Sequence, residues 1–316
     1  MKTDVMQEAQ GRWRGILQHY GISNDFLRKR HGPCPVCGGK DRFLFDDKEG
    51  RGTFYCNSCG AGTGAQLLSL FKGWSMSETM KHVGEVVGTV EKQDIRAEMT
   101  DDQKRKAMND LWQSSVDPKQ ADPVGKYILS RCGTDVIPFS IRYHPTVYHA
   151  ETQTRHPCMV AKVTGFDNRP VAIHRTYLTP DGKKASVEPN KKLMASMPDG
   201  SAVRLGPYTE TIGIAEGIET ALTCAVCFGV PTWAAVSAAM LVKWKPPENI
   251  EKVFIFADND HSFTGQVAAY RLAWNLEREF KGKYKIRVVV PRASGADWND
   301  VFSLLGRDAT RAMLDL

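Results

Sequence analysis

The chain has 316 residues, 42% hydrophobic and 25% charged, which is enough to bury a large core beside one or two small modules. Its 42 Lys and Arg against 36 Asp and Glu leave a net charge of +6, a mild excess that permits nucleic-acid binding without demanding it. The eight cysteines fall as two C-x-x-C knuckles, a third close pair and two singles, and the opening Met-Lys-Thr-Asp carries no apolar signal segment. That argues for a reducing, cytoplasmic setting and for metal rather than disulfides.

From the amino terminus, Trp13, Ile16, Leu17 and Tyr20 recur at helical spacing and predict a short amphipathic helix. Cys34, Cys37, Cys56 and Cys59 follow as C-x2-C-x18-C-x2-C. Between the knuckles, 42–46 and 53–56 read as two strands around the turn-rich 48–52, so a β-hairpin carries ligands at both ends. Glycines after each knuckle let backbone amides approach the sulfurs. Four thiolates fill a tetrahedral Zn²⁺ site and leave no open position, so one structural zinc is expected. Lys40, Arg42, Phe43, Phe45, Phe54 and Tyr55 mix cations with aromatic faces. They serve either as a surface for phosphates and unpaired bases or, in half of the aromatics, as the ribbon's small core. Helices over 66–71 and 77–87, with Ser75 or Ser77 as cap, close a zinc-binding domain at 1–88, with the ribbon at 32–62.

Residues 89–122 are expected to form a linker and helix, with 89–106 either a partly flexible tether or a rigid helix crossing the boundary. A helix near 124–131 and strands at 141–143, 159–163 and 171–178 then predict an α+β subdomain over 123–208. Arg169, Arg175, Lys183, Lys184, Lys191 and Lys192 concentrate cations there, as either a solvated face or a polyanion groove.

Over 209–316 the pattern strand, turn, helix repeats, with strands at 211–217, 232–237, 252–258 and 285–291, and a mostly parallel sheet follows. The uncharged run 220–242 is long enough to raise the question of a membrane span, but Gly229, Pro231 and Ser237 break it where strands and helices alternate, so no membrane is expected. Glu216, Asp258, Asp260, Asp297 and Asp300 fall at strand-to-helix loops, where ligands of such sheets gather. Clustered carboxylates repel unless cations compensate, and hard oxygen ligands select Mg²⁺ or Mn²⁺. Asp258 and Asp260 are the expected ligands, Asp300 and Asp297 complete the cluster, and Glu216 is a ligand or the proton-transfer group. Cys224 and Cys227 imitate a knuckle but sit inside a helical run as buried apolar residues.

These motifs together resemble the Toprim-type DNA primases, especially the phage and plasmid (mobile-element) forms with an amino-terminal zinc ribbon. Residues 32–43 are similar to their ribbon opening, and 173–178 with 191–194 to their middle region. Residues 215–221, Ala-Glu-Gly-Ile-Glu-Thr-Ala, and 257–260, Ala-Asp-Asn-Asp, are similar to the two signature Toprim motifs. One departure is that chromosomal primases carry an aspartate four positions after the Toprim glutamate, where this chain has Thr220 beside Glu219.

The resemblance implies a multidomain α/β architecture: a small zinc-ribbon β domain, an α+β middle subdomain and a Toprim (Rossmann-like, mostly parallel) catalytic domain. It also implies RNA primer synthesis by two-metal nucleotidyl transfer from ribonucleoside triphosphates on a single-stranded DNA template. A G-x-x-x-x-G-K-[ST] loop is absent from the sequence, so a helicase is expected to be a separate polypeptide. A Toprim metal-dependent nuclease and a non-catalytic ssDNA-binding replication adaptor are the competing functions, and reaction products distinguish the three.

Overall fold

The computed structural model describes residues 5–93 and 99–314, and divides between Thr100 and Asp101 into two compact units. The opening Met-Lys-Thr-Asp and the 94–98 part of the expected tether lie outside the described residues.

In the first unit, α1 (Val5–Ala9) and α2 (Trp13–His19) precede a four-stranded antiparallel sheet of β1 (Gly32–Cys34), β2 (Gly38–Phe45), β3 (Phe54–Cys56) and β4 (Gly60–Gly62), paired in chain order. Helices α3 (Gly64–Lys72) and α4 (Met76–Val86) complete it. The expected hairpin is β2 on β3, with Phe43 opposite Cys56 and Phe45 opposite Phe54. The helical spacing of Trp13, Ile16 and Leu17 turns one face of α2 inward, and all three are buried together with Phe43, Phe45 and Phe54. Gly64 at the start of α3 lies flat against the Trp13 indole; a Cβ there would come within 2.3 Å of the ring. Ser75 caps α4 in a reciprocal box with Glu78, satisfying amides that the first turn leaves unpaired.

The second unit begins with α5 (Asp101–Ser114), so the charged run 101–106 forms the first turns of this helix. Met108, Leu111 and Trp112 pack on the sheet, where Arg142 and Lys162 lie over the Trp112 ring. Next come α6 (Pro123–Cys132), β5 (Ile141–His149), β6 (Thr154–Thr164), β7 (Pro170–Tyr177), β8 (Lys191–Leu193) and β9 (Ala202–Val203). Then follow β10 (Thr211–Ala215), α7 (Ile218–Phe228), β11 (Thr232–Ala234), α8 (Ala238–Leu241), β12 (Lys252–Phe256), α9 (Thr264–Phe280), β13 (Lys285–Val289) and α10 (Trp298–Arg311). The run 220–242 divides among α7, β11 and α8, and among the described residues no helix is long and apolar enough to cross a membrane.

Among the described residues, the nine strands of this unit form one mixed sheet, ordered β13-β12-β10-β11-β9-β6-β7-β8, with β5 on β6. Its β13-β12-β10-β11 part is parallel; β9 joins antiparallel to both β11 and β6. The expected division at 208/209 therefore runs through a continuous sheet. Alternation along β10 and β12 feeds two cores: Ile212, Ile214, Val253 and Ile255 face α8 and α9, while Ala215 and Phe256 face α7 and α10. The fold is an amino-terminal zinc ribbon followed by a Toprim-like α/β sheet.

Candidate active site and zinc centre

In the first unit the Cys34, Cys37, Cys56 and Cys59 sulfurs all lie within 4.8 Å of one another, the one such group of three or more His, Cys, Asp or Glu among the described residues. Cys34 and Cys59 Sγ are 3.9 Å apart and Cys37 and Cys56 Sγ 3.6 Å. Tetrahedral zinc with Zn–S bonds near 2.3 Å needs about 3.8 Å, so the donor set fits structural Zn²⁺ and fills it. The Val36 and Ser58 amides approach the Cys34 and Cys56 sulfurs at 3.4 and 3.5 Å. Gly38, Gly39 and Gly60 take positive φ at the knuckles, which a side chain would resist.

Around the centre, Lys40 and Tyr55 are exposed and Arg42 half-exposed. Phe43 and Phe45 correct the sequence expectation of a base-stacking surface. They are 1% and 0% exposed because alternation along β2 turns both into the core, and they have no free face.

In the second unit β10 leads through α7 to β11 on one side and its neighbour β12 leads through α9 to β13 on the other, so the connections diverge and open a crevice at the carboxyl ends of β10 and β12. Glu216 follows β10 directly, and the Ala238 amide favours its charged form. The loop after β11 closes on it through the Val236 amide, which donates to Glu216 O at 2.8 Å while Val236 holds a φ of 74°, strained for a β-branched residue. Burial and the Asp260 charge raise the Glu216 pKa.

Asp258 follows β12. Burial, then the Asp297, Glu216 and Asp260 charges, push its pKa up to about 7, and its Oδ1 is buried without a hydrogen-bond partner. A buried unpaired carboxylate oxygen is costly unless a cation or proton meets it. Asp260 is held firmly: Ser262 Oγ and the Thr264 amide donate to Oδ1 at 2.6 and 3.0 Å, and the Gly265 amide to Oδ2 at 2.7 Å. Burial opposes its ionisation, yet these bonds leave its pKa lowered. Gly265 permits the close approach; a Cβ there would lie 2.8 Å from Asp258 O.

Asp297 arrives from the loop after β13, which Asn259 ties to the loop after β12 through bonds to Pro291 O and Ala296 O. Asp297 and Asp300 form the capping box of α10 and face Arg131 at 3.9 and 3.8 Å. Asp297 is half-buried and its charge raises the Asp258 pKa, whereas Asp300 is exposed. The charges of Asp297, Glu216 and Asp260 thus all act on Asp258, although among the described residues no three of these acids bring their oxygens within 4.8 Å of one another, and Asp300 stays at the rim. Their donor chemistry and the orphaned Asp258 Oδ1 fit a hard divalent cation.

Glu219 is the second residue of α7, in its first turn, and is 5% exposed. It accepts from Tyr127 Oη at 2.6 Å and Lys191 Nζ at 2.9 Å, with Lys184 Nζ at 3.9 Å. Burial opposes its charge, but Lys191, Lys184 and Tyr127 outweigh it and bring the pKa down to about 2. The expected basic cluster is consequently paired: Lys184 and Lys191 with Glu219, Lys192 with Glu151, Lys183 with Asp181 and Arg169 with Asp167, while Arg175 lies over Tyr177. It is no row of unpaired cations. The Lys191 charge also lowers the pKa of Asp258 and Glu216. Tyr127, Asn259, Ser262 and Gly265 were not singled out from the sequence; only Asn259, between two signature aspartates, carries a local signal.

Residues 211–308 match the Toprim domain. Residues 29–65 match the zinc-binding domain of primase-helicase, and 102–205 a domain of unknown function (DUF7146). Among solved structures, the chain is similar to a DNA primase domain from Pseudomonas aeruginosa (16% identity, 54% of this chain and 55% of that one, TM-score 0.37). It is also similar to the zinc-binding and RNA polymerase domains of the Aquifex aeolicus primase (14%, 100% and 85%, TM-score 0.39). A third is the primase fragment of the bacteriophage T7 primase-helicase protein (15%, 89% and 96%, TM-score 0.39). The chain thus spans about half the length of the Pseudomonas domain.

Proposed function

We propose that this protein is a DNA primase, a nucleotidyltransferase that makes short RNA primers on single-stranded DNA for replication of a phage, plasmid or other mobile element. The carrying observation is the set Glu216, Asp258, Asp260 and Asp297 at the sheet's switch point, with Asp258 Oδ1 buried and unpartnered. The zinc ribbon favours priming over a bare metal nuclease, because exposed Lys40 and Tyr55 and half-exposed Arg42 offer cations and a base-stacking ring beside the four-thiolate centre.

Asp258 and Asp260 would hold Mg²⁺ or Mn²⁺, with Asp297 and Glu216 as the other acids of the site and Asp300 outside it. Bound there, such ions would neutralise charge on the triphosphate and the departing pyrophosphate. In the transfer, a ribose 3′-oxygen bonds to the α-phosphorus of the incoming ribonucleotide, the bond from that phosphorus to the bridging oxygen breaks, and pyrophosphate leaves. Glu216, whose pKa is raised, accepts the hydroxyl proton. Asp260, fixed by Ser262, Thr264 and Gly265, holds its orientation throughout. Glu219 anchors Lys191 beside the acids, where that cation limits their mutual repulsion. A separate helicase is the expected partner, and the reduced zinc thiolates suit the cytoplasm.

The test is synthesis of labelled oligoribonucleotides from ribonucleoside triphosphates on mixed-sequence single-stranded DNA with Mg²⁺ or Mn²⁺. Oligomers from the unmodified protein and none from Asp258→Ala/Asp260→Ala support the proposal. Shortened DNA instead would identify a nuclease, and binding without either product an adaptor.

A further inference from the structure

Helix α9 buries Gly265, Ala268, Ala269, Leu272 and Leu276 against the sheet. The outer face of such a helix is ordinarily polar. Here Phe263, Val267, Tyr270 and Trp274, spaced by four, three and four residues, share one outward face and are 64%, 64%, 59% and 48% exposed. With Gln266 and Arg271 they line one shallow groove that has no acidic residue in its wall. Isolated exposed apolar residues need no explanation, but a contiguous row containing three aromatic rings does.

Two further observations point to a ligand. The Arg271 and Arg278 guanidiniums lie over the Trp274 ring, at 4.8 and 4.5 Å from its centroid, so the aromatic row carries positive charge. Phe263 is held at φ 60°, in the left-handed region that a residue with a Cβ disfavours, and its ring stays exposed. The row also starts at the acidic site. Phe263 lies three residues after Asp260, and its amide donates to Asp260 O at 3.1 Å. At 1.5 Å per residue, the eleven residues from Phe263 to Trp274 carry the row about 16 Å away from the carboxylates.

We propose that this face of α9 is a binding track for single-stranded nucleic acid leaving or entering the acidic site. Bases stack on Phe263, Tyr270 and Trp274 and on the guanidinium planes without regard to sequence, while Arg271 and Arg278 neutralise phosphates. Positive charge and direct continuity with a site that handles polynucleotide favour this occupant over a protein helix or a second copy of the chain. The inference rests on reading the acidic site as one that acts on polynucleotide.

The experiment measures binding of a fluorescent oligothymidylate to the full chain across a salt series, alongside primer synthesis and sedimentation. Tyr270→Ala and Trp274→Ala are expected each to weaken binding about ten-fold, whereas Tyr270→Phe and Trp274→Phe retain it. Arg271→Gln/Arg278→Gln is expected to flatten the salt dependence by roughly 1.4 in log–log slope. Unchanged oligothymidylate binding in both alanine variants, with primer synthesis intact in the unmodified protein, overturns the track alone. Self-association of the unmodified protein that the alanine variants abolish, with oligonucleotide binding unchanged, likewise overturns it and assigns the face to a second copy. No primer synthesis by the unmodified protein, with ring-dependent binding present, overturns the primase reading and leaves the track standing.

Discussion

Asp258 and Glu219 are two acids of the same unit with opposite electrostatics. The Asp258 carboxyl is raised from 3.8 to about 7 by burial and by neighbouring acids. Between pH 3.8 and about 7 the folded state therefore holds a proton that the unfolded chain has released, so the Asp258 contribution to metal-free stability is greatest below pH 3.8 and falls as pH rises through about 7. Asp258→Asn should flatten that decline and raise the metal-free thermal midpoint at about pH 8. Added Mg²⁺ should raise the midpoint of the unmodified protein and leave the variant unmoved. A magnesium shift that persists in Asp258→Asn would place the cation elsewhere.

Glu219 has the reverse sign. Its carboxyl is depressed to about 2, so its contribution is present above its ordinary 4.5 and lost as pH falls toward 2. Glu219→Gln leaves Lys191 and Lys184 facing a neutral amide and should cost about 3 kcal/mol, read by denaturant unfolding at about pH 7. The cost should shrink on acidification. A variant as stable as the parent near neutrality would show that the two lysines find other partners.

At the scale of the element, the acidic site depends on how closely the start of α9 meets the loop after β12. The Thr264 and Gly265 amides grip Asp260, and a Cβ at Gly265 would meet Asp258 O at 2.8 Å, backbone against backbone. Gly265→Ala should therefore shift both aspartates and lower kcat by about a hundred-fold with little change in the thermal midpoint. A fall in the midpoint equal to that of a core substitution would mean the glycine serves packing alone. The helices and parallel strands of this unit were legible because each apolar run ends at a turn residue and returns at helical spacing. The antiparallel pairing of β9 with β11 was not, since a two-residue strand has no period to read.

For the whole molecule, the zinc centre and the sheet belong to different compact units with separate cores. A four-thiolate zinc site supplies folding energy to a ribbon whose own core is small. Chelation should unfold the first unit at lower temperature while the second retains its transition, and a calorimetric scan should resolve the two. Primer synthesis should then fail on DNA templates although Mg²⁺ still raises the midpoint of the second unit. A single transition that moves as a whole on chelation would show the units to be coupled.

The cysteine spacing, the hairpin between the knuckles and the acids at strand ends were determined by local sequence. Thiolate ligation needs only a tight turn at each pair, and a strand's last residue falls at the sheet's edge whatever the neighbours do. Which residues were free to act was decided by tertiary contacts. Phe43 and Phe45 read as a stacking surface and became core, because facing helices covered that side of β2. Lys184 and Lys191 read as groove cations and found Glu219, 35 and 28 residues away in sequence. No local pattern encodes such pairings, since they arise only when distant segments are buried together and each charge must meet its opposite.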